Sequence, residues 1–283
     1  MRVMVAGAAG MLGQDVVGAA QRRGHDVAGL AHHDLDITDP VSIDDALAEL
    51  RPEAIIDCAA WSDVDGAEDD ERGAMTINDT GAGLLAAAAA RIGASILYPS
   101  SDYVFDGTKR TPYLEGDMPE PINAYGRSKL GGEVSVAAAN PKHFIVRTSW
   151  LYGLGGGNFV ETMLRLAASQ NEVLVVHDQV GSPTYTWHLA YGIVRLIEGL
   201  EHGIHHMAAA GQCSWYEFAR EIFEQAKVEC KVLSATTDML GRPAPRPAFS
   251  ALKSQREHAI ELPSWQDGLA GYIAQRESEK EVV

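Results

Sequence analysis

The sequence is short of cations, and this shortage argues against a role in binding nucleic acids. Its 283 residues include 23 Lys and Arg against 39 Asp and Glu, so the formal net charge is −16. A surface with this charge repels the phosphate backbone of DNA or RNA. A phosphorylated small molecule would therefore have to be held by local groups, such as backbone N–H groups, and not by the overall field.

Paired cysteines and long hydrophobic runs are also missing. Cys58, Cys213 and Cys230 are widely spaced, form no C-x-x-C pair and have no histidine at metal-ligand spacing, so we expect reduced thiols. The Ala-rich stretch 81–90 is broken by glycine and is far shorter than the ~20 residues of a membrane span. The N-terminus opens into a strand-like run without the layout of a signal peptide. We therefore expect a cytoplasmic protein with neither membrane nor nucleic acid as partner.

What the first 150 residues do contain is a regular alternation of strand and helix patterns. Short β-branched runs are each followed by a longer helical pattern, which predicts right-handed βαβ units. The predicted fold class is α/β, a doubly wound parallel sheet of Rossmann type with helices on both faces. The predicted strands are Arg2–Ala6, His25–Leu30, Ala54–Ala59, Ser95–Pro99 and Phe144–Thr148. The predicted helices are Met11–Arg23, Ser42–Leu50, Ala74–Ile92 and Ala124–Asn140.

Three glycines at the first strand–helix junction indicate a dinucleotide site. Gly7, Gly10 and Gly13 form G-x-x-G-x-x-G. A turn without Cβ atoms lets backbone N–H groups approach a pyrophosphate, and the helix N-terminus adds partial positive charge. The spacing favours the short-chain dehydrogenase/reductases, although a row of helix-packing glycines remains an alternative. The predicted cofactor-binding residues are Gly7, Gly10, Met11, Leu12, Gly13, Asp36, Ile37, Ala59, Ala60, Tyr125 and Lys129.

The region after the second strand leaves the choice of cofactor open. Asp36 is placed either to accept a hydrogen bond from an adenine amino group or to cap the turn before Pro40. NAD-specific enzymes usually carry an acidic residue at the tip of this strand, and NADP enzymes carry a nearby arginine. Here the tip reads Ala31-His32-His33. NADPH and NADH are therefore both candidate cofactors.

Tyr125 and Lys129 form Y-x-x-x-K within a predicted helix, so the phenol and the ammonium project from one helical face. A nearby cation favours the phenolate and suits the phenol to proton transfer. Ser101 lies near the carboxyl end of the fourth strand, where open α/β sheets bind ligands, and would polarise a substrate carbonyl. We predict Ser101, Tyr125 and Lys129 as catalytic residues; a simple turn at Ser100 or Ser101 remains the alternative.

After Trp150 the pattern loosens and predicts a second, smaller lobe. We assign residues 1–150, completed by about 178–208, to a dinucleotide-binding domain, and residues 151–177 and 209–283 to a composite C-terminal substrate-binding lobe. A helix is expected over Thr186–Leu200, and Ser214 with Glu217 predicts a capping box before another helix. The charged residues 276–283 are expected to fray.

Longer stretches resemble the dTDP-4-dehydrorhamnose reductase family of extended short-chain dehydrogenase/reductases. They cover nearly the whole chain, and two of them, SDYVFDG and DQVGSPT, are more specific than the glycine row. The matching stretches are LDITD (35–39), CAAWSDVDGAE (58–68), SDYVFDG (101–107), RTSWLYG (147–153), NFVETML (158–164), DQVGSPT (178–184) and RPAFS (246–250).

The resemblance implies NAD(P)H-dependent reduction of the C4 keto group of dTDP-4-dehydro-L-rhamnose to dTDP-L-rhamnose. Ser101, Tyr125 and Lys129 match the family's Ser/Thr–Tyr–Lys triad, and residues 63–65 would lie near the nicotinamide or the substrate. Some members bind magnesium at a dimer interface, but we cannot match the remaining ligands and predict no metal. The residues implied to contact a dTDP-linked 4-keto-6-deoxysugar are Asp102, Tyr103, Trp150, Asp178, Gln179 and Arg246.

Two other functions remain open. A nucleotide-sugar epimerase or dehydratase shares the triad but keeps and recycles its NAD, whereas a reductase releases oxidised cofactor; Tyr103, where dehydratases tend to have Glu, favours the reductase. A non-catalytic regulatory subunit, resembling the beta subunit of methionine adenosyltransferase, is the second, and the intact triad argues against it. The oligomeric state stays open, with a homodimer among the alternatives.

Overall fold

Strands and helices alternate along the chain in the computed structural model, which describes residues 1–199 and 201–282. The strands are β1 (Arg2–Ala6), β2 (Asp26–Leu30), β3 (Ala54–Asp57), β4 (Ser95–Ser101), β5 (His143–Thr148), β6 (Leu151–Tyr152), β7 (Glu172–Val176), β8 (Val180–Gly181), β9 (Thr184–Tyr185), β10 (Gly203–His206), β11 (Ala209–Ala210), β12 (Cys213–Ser214), β13 (Lys231–Ala235) and β14 (Leu262–Ser264). The helices are α1 (Met11–Arg22), α2 (Pro40–Leu50), α3 (Gly66–Asp69), α4 (Glu71–Met75), α5 (Ala82–Arg91), α6 (Ala124–Ala139), α7 (Phe159–Ala167), α8 (Thr186–Ile197), α9 (Trp215–Gln225), α10 (Thr237–Leu240) and α11 (Trp265–Val282).

Six parallel strands form the central sheet, in the order β10-β5-β4-β3-β1-β2. Strand β1 lies between β2 and β3, with Arg2 opposite Asp26 and Val3 opposite Ala54. The strand order reverses here, and such a reversal opens a crevice at the carboxyl ends of the strands. The prediction of a doubly wound, Rossmann-type parallel sheet is confirmed.

Hydrophobic side chains cover both faces of this sheet, because successive strand residues point to opposite faces. On one face Val3 and Val5 pack with residues of α1 and α8, and on the other Met4 packs with residues of α2 and α5. Burial on both faces explains why the strands read as nearly continuous apolar runs.

A third hydrophobic core lies in the C-terminal part, around Phe218 of α9 and Leu269 of α11. Beside it β7 pairs in parallel with β13, with Glu172 opposite Lys231. The capping box at Ser214 and Glu217 is present. The assignment of 151–177 and 209–283 to one substrate-binding lobe stays a prediction.

The structure differs from the sequence prediction in three helices. The helix expected over Ala74–Ile92 is interrupted by a π-helical segment, Thr76–Gly81, because the Asn78 carbonyl accepts a hydrogen bond from the Tyr98 hydroxyl. Helix α11 extends to Val282, into the segment that was expected to fray, and its Arg276 binds Glu161 of α7; Val283 lies outside the described residues. Helix α8 ends at Ile197, and Leu200 of the predicted helix lies outside the described residues. A helix long and apolar enough to span a membrane does not occur in the described part of the chain.

Candidate active site

A cleft of about 450 Å³ lies at the carboxyl ends of the central strands. Its walls come from the first turn of α1, from the ends of β3, β4 and β5, from α6, and from the start of α9. A larger hollow, of about 770 Å³, opens between Arg51 and Arg91 and contains none of the predicted site residues. The residues that line the cleft are Gly10, Met11, Leu12, Gly13, Asp57, Cys58, Ala60, Ser62, Val64, Pro99, Ser100, Ser101, Asp102, Tyr103, Tyr125, Lys129, Thr148, Ser149, Trp150, Leu151, Gly157 and Trp215.

The glycine turn before α1 has no room for side chains. Gly7 has φ +70°, and a Cβ built there would lie 2.5 Å from the backbone nitrogen of Ala59. A Cβ at Gly13 would lie 2.2 Å from the carbonyl oxygen of Gly7. Gly10 precedes the helix and offers no side-chain cap to its first-turn N–H groups. An uncapped helix N-terminus behind a tight turn is the arrangement that accepts a pyrophosphate, so the residues present fit a dinucleotide.

Of the other predicted cofactor-binding residues, Asp36 and Ile37 lie between β2 and α2, and Ala59 and Ala60 follow β3. The Asp36 carboxylate accepts hydrogen bonds from the hydroxyl (2.7 Å) and the backbone N–H (2.8 Å) of Thr38, and these bonds hold the pKa of Asp36 below its ordinary value. Asp36 therefore caps its own turn, which is the alternative to an adenine contact that the sequence left open. Ile37 is buried in the core, Ala59 is half-buried beside Gly7, and Ala60 is exposed on the cleft wall.

Ser101, Tyr125 and Lys129 all line the cleft. The Ser101 hydroxyl donates to the Asp102 carboxylate (3.1 Å) and accepts from the backbone N–H of Tyr103 (3.1 Å). Burial raises the pKa of Tyr125 to about 12, and a hydrogen bond with Ser101 acts in the opposite direction. Tyr125 is therefore a protonated phenol at neutral pH.

Lys129 is almost fully buried, at 3% exposed. Its Nζ lies 3.9 Å from the centre of the Tyr98 ring. Burial lowers the pKa of Lys129, and the carboxylates of Asp57 and Glu133 raise it. Asp57 is 2% exposed; one of its oxygens accepts from the Ala59 N–H (3.2 Å), and the other has no hydrogen-bond partner among the described residues.

A buried ion pair supports this part of the cleft from below. The Arg147 guanidinium donates to both oxygens of Glu133, at 2.8 and 2.6 Å. The Ser100 hydroxyl donates to the same carboxylate at 2.5 Å. Because Ser100 precedes Ser101 and Glu133 follows Lys129 by one helical turn, this network ties β4, β5 and α6 together beneath the triad. Arg147 is thus a structural residue.

Of the predicted substrate residues, Asp102 and Tyr103 lie beside the triad. Burial raises the pKa of Asp102 to about 7, and the nearby hydroxyls of Ser250 and Ser101 oppose this shift. Tyr103 packs edge-on against Tyr125, with ring centres 6.0 Å apart.

Trp150 forms a wall of the cleft together with Trp215. The two indole rings are stacked, with centres 3.5 Å apart and planes at 4°. Gly181 lies against the Trp150 ring, since a Cβ there would be 2.4 Å from it. Phe159 packs on Trp215 at 4.5 Å. One face of Trp150 is therefore covered by Trp215, and the indole also lines the cleft.

Asp178, Gln179 and Arg246 are not among the described residues that line the cleft. The Asp178 carboxylate accepts from the backbone N–H and the hydroxyl of Thr237, and Gln179 donates to that hydroxyl (2.9 Å). Arg246 donates to both oxygens of Asp65 (3.0 Å each), and these bonds lower the pKa of Asp65 to about 2. All three side chains hold the loop segments around 237–250 in place.

Sequence reasoning missed Asp57, Thr148 and Trp215, which line the cleft. Asp57 lies within a predicted buried strand, and a carboxylate in such an apolar run itself indicates a functional residue. Trp215 directly follows the N-cap of a helix that the capping box had located, so an aromatic residue at that helix start was visible. Thr148 gave no signal beyond its place at the end of a predicted strand.

Comparison with known proteins finds relatives that match nearly the whole chain. The family model described as RmlD substrate binding domain matches residues 1–278. The chain is 40% identical over 280 residues to dTDP-4-dehydrorhamnose reductase of Mycolicibacterium smegmatis, covering 96% of this chain and 85% of that protein. It is 39% identical to the spore coat polysaccharide biosynthesis protein SpsK of Bacillus subtilis, covering 98% of each.

Solved structures give the same result. The crystal structure of dTDP-4-dehydrorhamnose reductase from Bacillus anthracis, in complex with NADP, superposes with a TM-score of 0.94 at 40% identity, covering 97% of this chain and 99% of that one. A dTDP-glucose 4,6-dehydratase from Streptomyces venezuelae, at 18% identity and a TM-score of 0.82, shares the fold. The chain belongs to the family of the dTDP-4-dehydrorhamnose reductases.

Proposed function

We propose that this chain reduces the C4 keto group of dTDP-4-dehydro-L-rhamnose to give dTDP-L-rhamnose, with NADPH or NADH as the reductant. The observation that carries the proposal is the meeting of Ser101, Tyr125 and Lys129 in one cleft that also contains the glycine turn. Relatives with this activity in their names, from Mycolicibacterium smegmatis and Mycobacterium tuberculosis, are 40% identical to the chain and support the choice of substrate.

The residues around the glycine turn would hold the cofactor. The first-turn N–H groups of α1 would bind the pyrophosphate, and Lys129 would hydrogen-bond the nicotinamide ribose. When bound, the reduced nicotinamide supplies the hydride that adds to C4 of the sugar. His32 and His33, at the tip of β2, are exposed and leave both dinucleotides as candidates. The NADP bound to the Bacillus anthracis relative favours NADPH.

Tyr125 would give its proton to the C4 oxygen as that oxygen gains negative charge. Its raised pKa, about 12, keeps the phenol protonated until that moment. The Ser101 hydroxyl would hydrogen-bond the same oxygen and polarise the ketone. The Lys129 ammonium, one turn along α6, would stabilise the phenolate that remains, and the phenolate would then regain a proton from solvent.

The sugar would lie against the cleft wall beyond the triad. We propose that Asp102 and Tyr103 contact the sugar directly and that Trp150 packs against it with the part of its indole that Trp215 leaves uncovered. Asp178, Gln179 and Arg246 would act on substrate binding through the loop that they hold, because Ser250 of that loop lies close enough to Asp102 to lower its pKa.

The proposal is tested by following the loss of reduced-cofactor absorbance with dTDP- and UDP-linked 4-keto-6-deoxysugars. We expect turnover with the dTDP sugar and a fall of about 10²- to 10⁴-fold in the Tyr125→Phe variant, because the proton donor is removed. Tyr191→Phe, on α8 and outside the cleft lining, is the matched control and should keep wild-type rates.

Two results would overturn the proposal. Equal rates for Tyr125→Phe and the wild type would remove Tyr125 as the proton donor. Purified protein that carries stoichiometric NAD and shows no net cofactor consumption would instead indicate an epimerase or a dehydratase.

We further propose a cytoplasmic location. Cys58, Cys213 and Cys230 are free thiols. Reducing compartments keep thiols in this state, which agrees with the cytoplasm. Fractionation of cells that express the protein tests this location.

A further inference from the structure

Asp57 is a buried carboxylate in the cleft that the proposed reduction does not use. We propose that Asp57 is the counter-ion that keeps the Lys129 ammonium charged and in place, and that it is a positioning residue for the reaction. This inference rests on the proposed function, since it assigns Asp57 a role through Lys129.

Both side chains line the same cleft and are almost fully buried. Asp57 is the last residue of β3, and Lys129 lies on α6; they are 2% and 3% exposed. One face of the ammonium lies against the Tyr98 ring at 3.9 Å, which attracts a cation but accepts no proton. The second carboxylate oxygen of Asp57 has no hydrogen-bond partner within the described ranges. A carboxylate is rarely left in this state unless a ligand or a nearby charge compensates it.

The other carboxylate near Lys129 is already committed. Glu133 lies one turn along α6, but both of its oxygens bind the Arg147 guanidinium, and one also accepts from Ser100. The charge of Glu133 is therefore largely neutralised by Arg147. Asp57 remains the carboxylate that has an oxygen without a hydrogen-bond partner among the described residues and that interacts electrostatically with Lys129.

Burial makes this counter-ion necessary. Desolvation lowers the pKa of Lys129 and raises the pKa of Asp57, and each group opposes the shift of the other. The remaining ionisable groups around the ammonium are Glu133, the Cys58 thiol and the phenols of Tyr98 and Tyr125. Burial raises the pKa of the thiol and of both phenols. Without Asp57, a buried ammonium tends to lose its proton. A neutral Lys129 would stabilise the Tyr125 phenolate and a bound ribose less well than the ammonium does.

The test compares wild type with Asp57→Asn and measures the state of Lys129 directly. Cyanate is small and carbamylates only neutral amines, so the rate of Lys129 modification against pH, read by peptide mass spectrometry, reports its protonation. We expect the midpoint in Asp57→Asn to fall by about one pH unit or more. Asp26→Asn, an exposed site on β2, makes the same charge change and should leave the midpoint unchanged. An unchanged midpoint in Asp57→Asn overturns the proposal.

A second variant covers the case in which Asp57→Asn does not fold. Asp57→Ser also removes the charge and keeps an oxygen that can accept from the Ala59 N–H. The same fall in midpoint is expected, and its absence counts against the proposal equally.

A double variant separates positioning from a direct contact with the cofactor. We expect weaker NADPH binding, by fluorescence titration, in Asp57→Asn and in Lys129→Met, but no further loss when the two changes are combined, because Asp57 acts through Lys129. Additive losses would show an independent role for Asp57. Neither readout requires turnover, so absence of sugar reduction would defeat the proposed function without deciding the role of Asp57.

Discussion

His206, at the end of β10, is a histidine that burial keeps neutral. Its ring is 4% exposed, and Nδ1 donates to the carbonyl oxygens of Tyr113 (3.0 Å) and Lys253 (3.2 Å). Burial lowers the pKa of His206 to about 4, from an ordinary value of 6.5. Between these values the unfolded chain binds a proton that the folded chain excludes, so the free energy of unfolding falls as pH falls from 6.5 toward 4.

We expect this single residue to carry part of the acid sensitivity of the fold. His206→Asn keeps an amide N–H near the position of Nδ1 but cannot titrate, so its loss of stability between about pH 7 and about pH 5 should be smaller than that of the wild type by about 1–3 kcal/mol. Urea unfolding at the two pH values gives the difference. His258→Asn, at an exposed site, should lose as much stability as the wild type. Equal losses in all three proteins would contradict the prediction.

Trp215 is the residue that links the start of α9 to the cleft wall. It is stacked on Trp150 and packs at a tilt against Phe159, so replacement by leucine uncovers the face of Trp150 on which Trp215 lies. We expect Trp215→Leu to raise KM for the sugar nucleotide about ten-fold, because the Trp150 ring is no longer held in place by the stack. Binding of the dinucleotide should change little.

Circular dichroism supplies an independent readout of this stack. Two indoles in contact couple electronically, so the far-ultraviolet signal of the pair should disappear in Trp215→Leu. Trp187→Leu, whose ring packs with Arg22 outside the cleft lining, is the control and should keep both the signal and KM. A wild-type KM in Trp215→Leu would show that the stack does not position Trp150.

At the scale of elements, α1 contains two glycines with different surroundings. A Cβ at Gly13 would overlap the Gly7 carbonyl oxygen at 2.2 Å, whereas a Cβ at Gly18 would meet the Trp187 ring at 3.5 Å, which is ordinary contact. We expect Gly13→Ala to lose about 1–3 kcal/mol of stability and most dinucleotide binding, because the overlap is with backbone. Gly18→Ala should gain about 0.5–1 kcal/mol through helix propensity.

Thermal unfolding with and without dinucleotide checks both variants of α1. The dinucleotide should raise the Tm of Gly18→Ala as it does that of the wild type, but not the Tm of Gly13→Ala. A normal ligand-induced shift in Gly13→Ala would mean that the turn can widen without harm.

The helices and strands that could be predicted are those that the local hydrophobic pattern of the sequence determines. The strands of the central sheet are buried on both faces, and their apolar runs located all five expected strands to within two residues at each end. The π-helical segment was missed because it depends on the Asn78 carbonyl and the Tyr98 hydroxyl, which tertiary packing brings together. Strand β13 was missed because its partner, β7, lies far away in sequence.

The same distinction holds for the site. Tyr125 and Lys129 are one helical turn apart, so spacing alone placed them on one face. The stacking of Trp215 on Trp150, and the pairing of Asp65 with Arg246, join residues that are distant in sequence. The sequence alone does not show whether a polar side chain in a loop binds a ligand or another part of the protein. Asp178 was predicted to bind the substrate, and in the structure it accepts a hydrogen bond from Thr237.

At the scale of the whole molecule, the cleft must admit an anion into a protein of formal net charge −16. Lys129 is the single Lys or Arg among the described residues that line it, and the remaining attraction comes from the N–H groups of α1, which act over a few ångströms. Added salt screens the long-range repulsion while leaving these short contacts largely intact.

Stopped-flow association of NADPH should therefore become several-fold faster between about 10 mM and about 150 mM ionic strength. Uncharged adenosine, as the control ligand, should show no such acceleration. The cofactor would then bind faster at the ionic strength of a cell than in a dilute buffer, whereas binding to a basic cleft slows as salt is added. An association rate that falls with added salt would contradict the prediction and would indicate a cationic entrance to the cleft.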